Sequence, residues 1–133
     1  MIDEQATEVF HTLMPLSKEL GVEVLRNTAE QVVSRLAWAP RLCTAGGVLH
    51  GGTIMALADG NGAACALANL PDDAAGTTTI ESKTNFLRAV STGYATAISR
   101  PLHVGRRIIV VETDVLDDSE RRVARVTQSQ AVL

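Results

Sequence analysis

Residues 52 to 69, GTIMALADGNGAACALAN, constrain the fold of this chain more than any other stretch. Asp59 is the only ionisable carboxylate or amine among these eighteen residues. The rest are apolar or small, and the length suits one long helix from about Gly51 to Asn69. A helix without a polar face belongs in the interior, so the remainder of the chain has to wrap it. A carboxylate on such a helix needs a partner, a hydrogen bond or a reaction to perform. A structural Asp that caps a loop is equally compatible with the pattern.

Immediately before the helix stands GGVLHGG, residues 46 to 52. Gly51 and Gly52 at a helix start leave backbone N–H groups uncovered, and the helix dipole adds partial positive charge there. This arrangement suits an oxyanion or a phosphate. No Gly-Lys-Ser/Thr follows, so it is not a nucleotide P-loop. His50 is a candidate base, ligand or loop anchor. No second His at ligand spacing and no CxxC accompany it, so no metal site is expected.

Gly51 and Asp59 are eight residues apart, about 12 Å along a helix axis. That is too far for both to touch one reacting carbonyl. If both act on one substrate, a two-fold dimer solves the problem by setting Gly51 of one subunit against Asp59 of the other.

The 133 residues are 46% hydrophobic with no linker or internal repeat, which predicts one domain over 1–133 with a real core. The first half is acidic, with ten Asp/Glu and four Lys/Arg up to residue 81, and the second half carries eight Lys/Arg against five Asp/Glu. Arg100, Arg106, Arg107, Arg121, Arg122 and Arg125 are therefore candidates for an anionic ligand, or members of a solvated strand face. An acidic chain poor in aromatic residues argues against nucleic acid. The acidic, interrupted N-terminus lacks a secretory signal pattern, and the Gly- and Asp-containing apolar run is unsuited to a membrane span, so a cytoplasmic protein is expected. Cys43 and Cys65 read as reduced, small hydrophobes.

A short amphipathic helix is predicted over 3 to 13, ending near Pro15. A hairpin follows over 20–27 and 30–39, then a loop from Pro40 to Gly47. After the long helix and the turn at Pro71-Asp72-Asp73, alternating segments at 77–88, 93–104, 106–117 and 121–132 complete an antiparallel sheet of five or six strands. The class is α+β, a sheet packed on one central helix.

GGVLHGGTIMALAD, residues 46–59, together with RPLHVGRR, residues 100–107, resembles the hotdog-fold acyl-CoA thioesterases, and the resemblance extends from about Gly21 to Leu133. The nearest groups are the phenylacetate-degradation type and the 4-hydroxybenzoyl-CoA or 1,4-dihydroxy-2-naphthoyl-CoA type. The resemblance implies a sheet wrapped around the helix, edge-to-edge dimers with interfacial sites, and a homo-oligomer that is at least a dimer and is expected as a tetramer. It implies that Gly51 N–H polarises the thioester carbonyl, that the partner's Asp59 is nucleophile or base, and that His50 orients the site. Thr44 stands where the family often has Gln or Asn to hold the carbonyl or water. Ala63 stands where one subgroup has Ser or Thr, and Thr78, flanked by Thr77 and Thr79, aligns with the hydroxyl of a second subgroup. Arg106, Arg107, Gly52 and Arg88 are assigned to the coenzyme A moiety, with only one of Arg106 and Arg107 expected to point each way on a strand. No cofactor is implied, since coenzyme A belongs to the substrate. A hydratase or dehydratase using His50 with Asp59, and a non-catalytic acyl-CoA-binding domain, are the rival readings.

Overall fold

The computed structural model describes all residues from Met1 to Leu133. The chain opens with α1, Glu4–Leu13, whose N-cap Asp3 accepts from the Ala6 N–H at 2.9 Å. Pro15 does not end the helical region as the sequence suggests. It occupies the first turn of a second helix, α2, Pro15–Glu19, where its missing N–H has no consequence. The hairpin β1, Glu23–Asn27, and β2, Val32–Ala37, follows, and a single 3-10 turn at Pro40–Leu42 leads towards α3, Gly51–Leu67. Four long strands then complete the chain: β3, Thr77–Phe86; β4, Tyr94–Val104; β5, Ile108–Leu116; and β6, Arg122–Val132.

These strands form one six-stranded antiparallel sheet in the order β1-β2-β4-β5-β6-β3. Alternation explains which face turns inward. On β5, Ile109, Val111, Thr113 and Val115 are buried while their neighbours are half-exposed, and β4 buries Ala95, Ala97 and Ser99. The sheet curls so that β2 through β6 all touch α3, which turns Ile54, Leu57, Ala58, Asn61 and Cys65 into the core. This is a hotdog fold, with the helix as filling and the sheet as wrapping.

The two sheet edges differ. The β1 edge is covered by α1, because Asp3 N–H donates to the Val24 carbonyl at 2.8 Å and Val24 N–H donates to Thr7 Oγ1 at 2.9 Å. The β3 edge has no such cover. It exposes Ile80 and Phe86 along a ten-residue strand, with exposed Leu87 just beyond it, a surface prone to pairing with another strand.

One expectation fails at this level. The long helix is not buried on every side: Gly52, Met55 and Asp59 are exposed. Their spacing of three and four residues puts them on one stripe that stays open to solvent, with sheet side chains reaching only its Asp59 end. No helix is long and apolar enough to cross a membrane.

Candidate active site

The start of α3 is fixed by a tight approach loop. Cys43 and Leu49 form a β-bridge, and the connection between them turns through Gly46 and Gly47, whose φ angles of 83° and 72° a side chain rarely adopts. Trp38 Nε1 donates to the Gly47 carbonyl at 3.0 Å and holds the turn against β2. His50 N–H then donates to the Leu42 carbonyl, and His50 becomes the N-cap of α3.

The cap determines which donors remain free. His50 Nδ1 accepts from Gly52 N–H at 2.8 Å, so the neutral ring carries its proton on Nε2. Gly52 N–H is consumed by this bond and is not an open anion donor, contrary to the assignment of Gly52 to substrate binding. Gly51 N–H has no acceptor in the chain. It sits at the positive end of the helix dipole, half-buried, with Phe86 beside it: a methyl at Gly51 would lie 3.1 Å from Phe86 Cζ. Thr44 is exposed in the approach loop, its N–H bonded to the Val48 carbonyl.

Two turns along the helix stands Asp59. It is exposed in the single chain rather than buried, and no cation lies within ion-pair distance. Its Oδ1 accepts from Thr79 Oγ1 at 3.4 Å and from Gln128 Nε2 at 3.3 Å. Its Oδ2 accepts from no protein group. The hydroxyl beside the carboxylate is thus Thr79 and not Thr78. Directly opposed residues share a sheet face, and the register pairs Thr79 with buried Gln130 but Thr78 with Ala131, which places Thr78 on the outer face.

Both glutamines escaped the sequence reading. They sit two residues apart on β6, and the buried Val126 two positions earlier shares their face, so period two was the available signal. Gln130 Nε2 donates to Thr79 Oγ1 at 2.7 Å, and Thr77 Oγ1 donates to Gln130 Oε1 at 2.9 Å. Thr77, Gln130 and Thr79 therefore form a chain of donors that ends on Asp59.

The basic residues divide into two groups. Arg122 and Arg125 pair with Asp114 and Glu112 at 2.7 to 2.8 Å in a network across β5 and β6, and Arg121 pairs with Asp117 at 2.9 Å across the turn between them. Burial alone would raise the Asp114 carboxyl, but the hydrogen bonds and charges of Arg125 and Arg122 hold it below the ordinary range. Arg88, Arg100, Arg106 and Arg107 have no carboxylate partner. Arg106 and Arg107 lie in the bend before β5 rather than on a strand, so alternation does not separate them. Both line an open cavity of about 470 Å³ with Pro71 and Asp73, at the C-terminal end of α3. Arg88 is exposed just beyond β3. No group of three or more His, Cys, Asp or Glu side chains is arranged to hold a metal. Burial pushes the Cys65 thiol up to about 11, which leaves it un-ionised and inert at neutral pH.

A free N–H at a helix start and a carboxylate with one unengaged oxygen are the parts of a carbonyl-addition site. Three similar proteins bear the name "putative esterase". ComA2 of Bacillus subtilis is 34% identical over 113 residues, covering 85% of this chain and 87% of that protein. SSO2140 of Saccharolobus solfataricus is 32% identical over 126 residues, covering 95% and 89%. The solved structure of Rv1847/MT1895 from Mycobacterium tuberculosis superposes with a TM-score of 0.87 at 28% identity, covering 90% of this chain and 97% of that one. Residues 46–124, which hold the glycine loop, all of α3, strands β3 to β5 and the start of β6, match the Thioesterase superfamily, and the chain belongs to that family.

Proposed function

We propose that the protein hydrolyses an acyl-CoA thioester to a free acid and coenzyme A at a site shared between two copies of the chain. One observation carries the reading: the unpartnered Gly51 N–H and the free Asp59 Oδ2 lie on one helix about 12 Å apart, too far to act on one carbonyl. In the shared site Gly51 of one subunit polarises the carbonyl and the partner's Asp59 takes a proton from water. The water oxygen adds to the thioester carbon, and Gly51 N–H stabilises the oxyanion. Collapse breaks the C–S bond, and the coenzyme A thiolate takes up the proton held by the carboxyl. Attack by Asp59 itself would instead form an anhydride, which single turnover in 18O-water would reveal as label in Asp59 when water opens it at the enzyme's carbonyl.

The open β3 edge supports this assembly. Glu81 and Lys83 are exposed on its outer face, with Ser82 between them facing inward opposite Gln128. Pairing two β3 strands antiparallel about an axis at Ser82 sets Lys83 of each opposite Glu81 of the other. It also brings the Phe86 end of one strand, beside Gly51, against the Thr79 end of its partner, beside Asp59. A homodimer is the smallest competent unit, and a tetramer built from two such dimers is the expected assembly.

Arg106 and Arg107 are assigned to the phosphates of coenzyme A, with Arg88 as a further cation, and Thr44 to the carbonyl or the water. Hydrolysis by this route requires no cofactor. The geometry disfavours a dehydratase that uses His50 as its base, because Nδ1 is engaged in capping α3. Thiol release from aromatic and short-to-medium aliphatic acyl-CoAs, measured with the parent and Asp59→Asn, tests the reading. Turnover that is lost in the variant supports it. A parent that binds the thioesters and releases no thiol would transfer the reading to a non-catalytic binding domain.

A further inference from the structure

Gln128 is 1% exposed, and its Oε1 is buried without any hydrogen-bond partner. An orphaned buried carbonyl is costly, so something must hold the amide in place. Two neighbours do so. Nε2 donates to Asp59 Oδ1 at 3.3 Å, and Oε1 fills the space beside Gly62 that a Cβ there would occupy. Reversing the amide would point Oε1 at the carboxylate and the NH2 group at a Cα without an acceptor. One orientation therefore remains, with the donor facing Asp59.

Thr79 reaches the same oxygen from the neighbouring strand, and Gln130 Nε2 fixes its hydroxyl as a donor towards Asp59. Two donors from neighbouring strands converge on Oδ1 and none on Oδ2, so the carboxylate is restrained and its two oxygens are made unequal. We propose that Gln128, held by the space at Gly62, is a positioning residue that presents Asp59 Oδ2 to the reacting water. The proposal rests on the reading of Asp59 as the catalytic carboxylate. It also accounts for Thr44: an approach loop without an amide matters less when the carboxylate is oriented from β6.

The test measures kcat and KM for benzoyl-CoA and hexanoyl-CoA, with thermal unfolding in parallel, for the full chain and for Gln128→Ala, Gln128→Met, Gly62→Ala and the double variant Gln128→Ala/Gly62→Ala. Loss of a hydrogen bond to a charged group corresponds to about a ten- to hundredfold loss in kcat, with KM within about twofold. Gly62→Ala reproduces that loss with Gln128 still present, because the new methyl expels the amide. The double variant loses no more than Gln128→Ala alone, since both changes remove the same contact. Gln128→Met retains bulk without a donor and shows the kcat loss even if Gln128→Ala folds poorly. A purely structural glutamine predicts lowered unfolding temperatures with kcat unchanged, or losses that multiply in the double variant, and either result overturns the proposal. Full activity in a parallel Asp59→Asn variant overturns the reading of Asp59 as the catalytic carboxylate, and no thiol release by the parent overturns the thioesterase reading; this inference falls with either. Loss confined to Asp59→Asn overturns this inference alone.

Discussion

Asn61 provides the sharpest test of how α3 is held. It is 1% exposed and two residues beyond Asp59, about 200° around the helix, so it faces into the sheet while Asp59 faces out. Its Oδ1 accepts from Ser34 Oγ at 2.6 Å, and its Nδ2 donates to the Val32 carbonyl at 2.9 Å and to Ser99 Oγ at 2.7 Å. Asn61→Ala strips a partner from each of these three buried groups. Ser99 keeps Thr113 at 2.6 Å, so its loss is close to the net value of a hydrogen bond, about 1 kcal/mol. The Val32 carbonyl, part of a strand paired on both sides, loses about the same, and the Ser34 hydroxyl, left with no partner, approaches the cost of burial, roughly 1–3 kcal/mol. The sum, about 3–5 kcal/mol, is a large share of the 5–15 kcal/mol typical of a domain and corresponds to roughly a 10–20 °C fall in Tm. Urea unfolding followed by circular dichroism and by the fluorescence of Trp38, at one protein concentration because association adds to apparent stability, measures it. A change below about 1 kcal/mol would show that the network contributes little and that apolar packing alone seats the helix.

In the proposed β3 seam, Lys83→Glu would turn two symmetric attractions into two repulsions. At roughly 0.2–1 kcal/mol per cross-strand pair, lost and then reversed in both, this weakens self-association about fourfold to several hundredfold in sedimentation equilibrium, and Glu81→Lys/Lys83→Glu restores it. An unchanged association constant would move the interface away from this register. For the thiols, Cys43 is half-buried and Cys65 is fully buried with its pKa raised to about 11. A native-state thiol titration at pH 8 therefore gives at most one labelled cysteine, with Cys65 reacting only on unfolding; rapid reaction of two would contradict the core. Finally, the Asp114 carboxyl is held below its ordinary 3.8 by Arg125 and Arg122 against the effect of burial. A depressed carboxylate stabilises the fold above the unfolded-state value and loses that contribution as pH falls through the lower folded value. Asp114→Asn should flatten the fall in Tm between pH 5 and pH 2, and parallel profiles for parent and variant would rule the pair out as an acid-sensitive element.

Most of the architecture was legible because its signals are local. Period-two alternation located β3 to β6 to within a few residues, and a run of small residues located α3. What escaped depends on three-dimensional partners. Pro15 reads equally as a stop or as the first turn of another helix, and only the packing of α2 on α3 decides between them. Asp59 looked buried because composition reports what a helix can bury, not which side the sheet leaves open. Thr78 and Thr79 are one residue apart, and the face each takes depends on pairing with β6 just before the irregularity between Thr79 and Glu81. Gln128 and Gln130 resemble the solvent face of a strand until the register shows that they share Val126's side.

The small residues of α3 are better understood as clearances than as a lack of features. Gly60 passes Met14 and Ser17 closely enough that a Cβ would stand 3.4 Å from both, and Gly62 leaves room for the Gln128 amide. Each interior glycine costs a helix roughly 1 kcal/mol relative to alanine. At Gly60 an alanine would make a tight but ordinary contact, so that position has room for stabilisation. At Gly62 the same substitution would expel the one side chain that joins β6 to the carboxylate, so helix propensity and the orientation of Asp59 pull in opposite directions. A chain selected for helix stability alone would place alanine at both positions; glycine at residue 62 is explained by Gln128, and Gln128 in turn by Asp59.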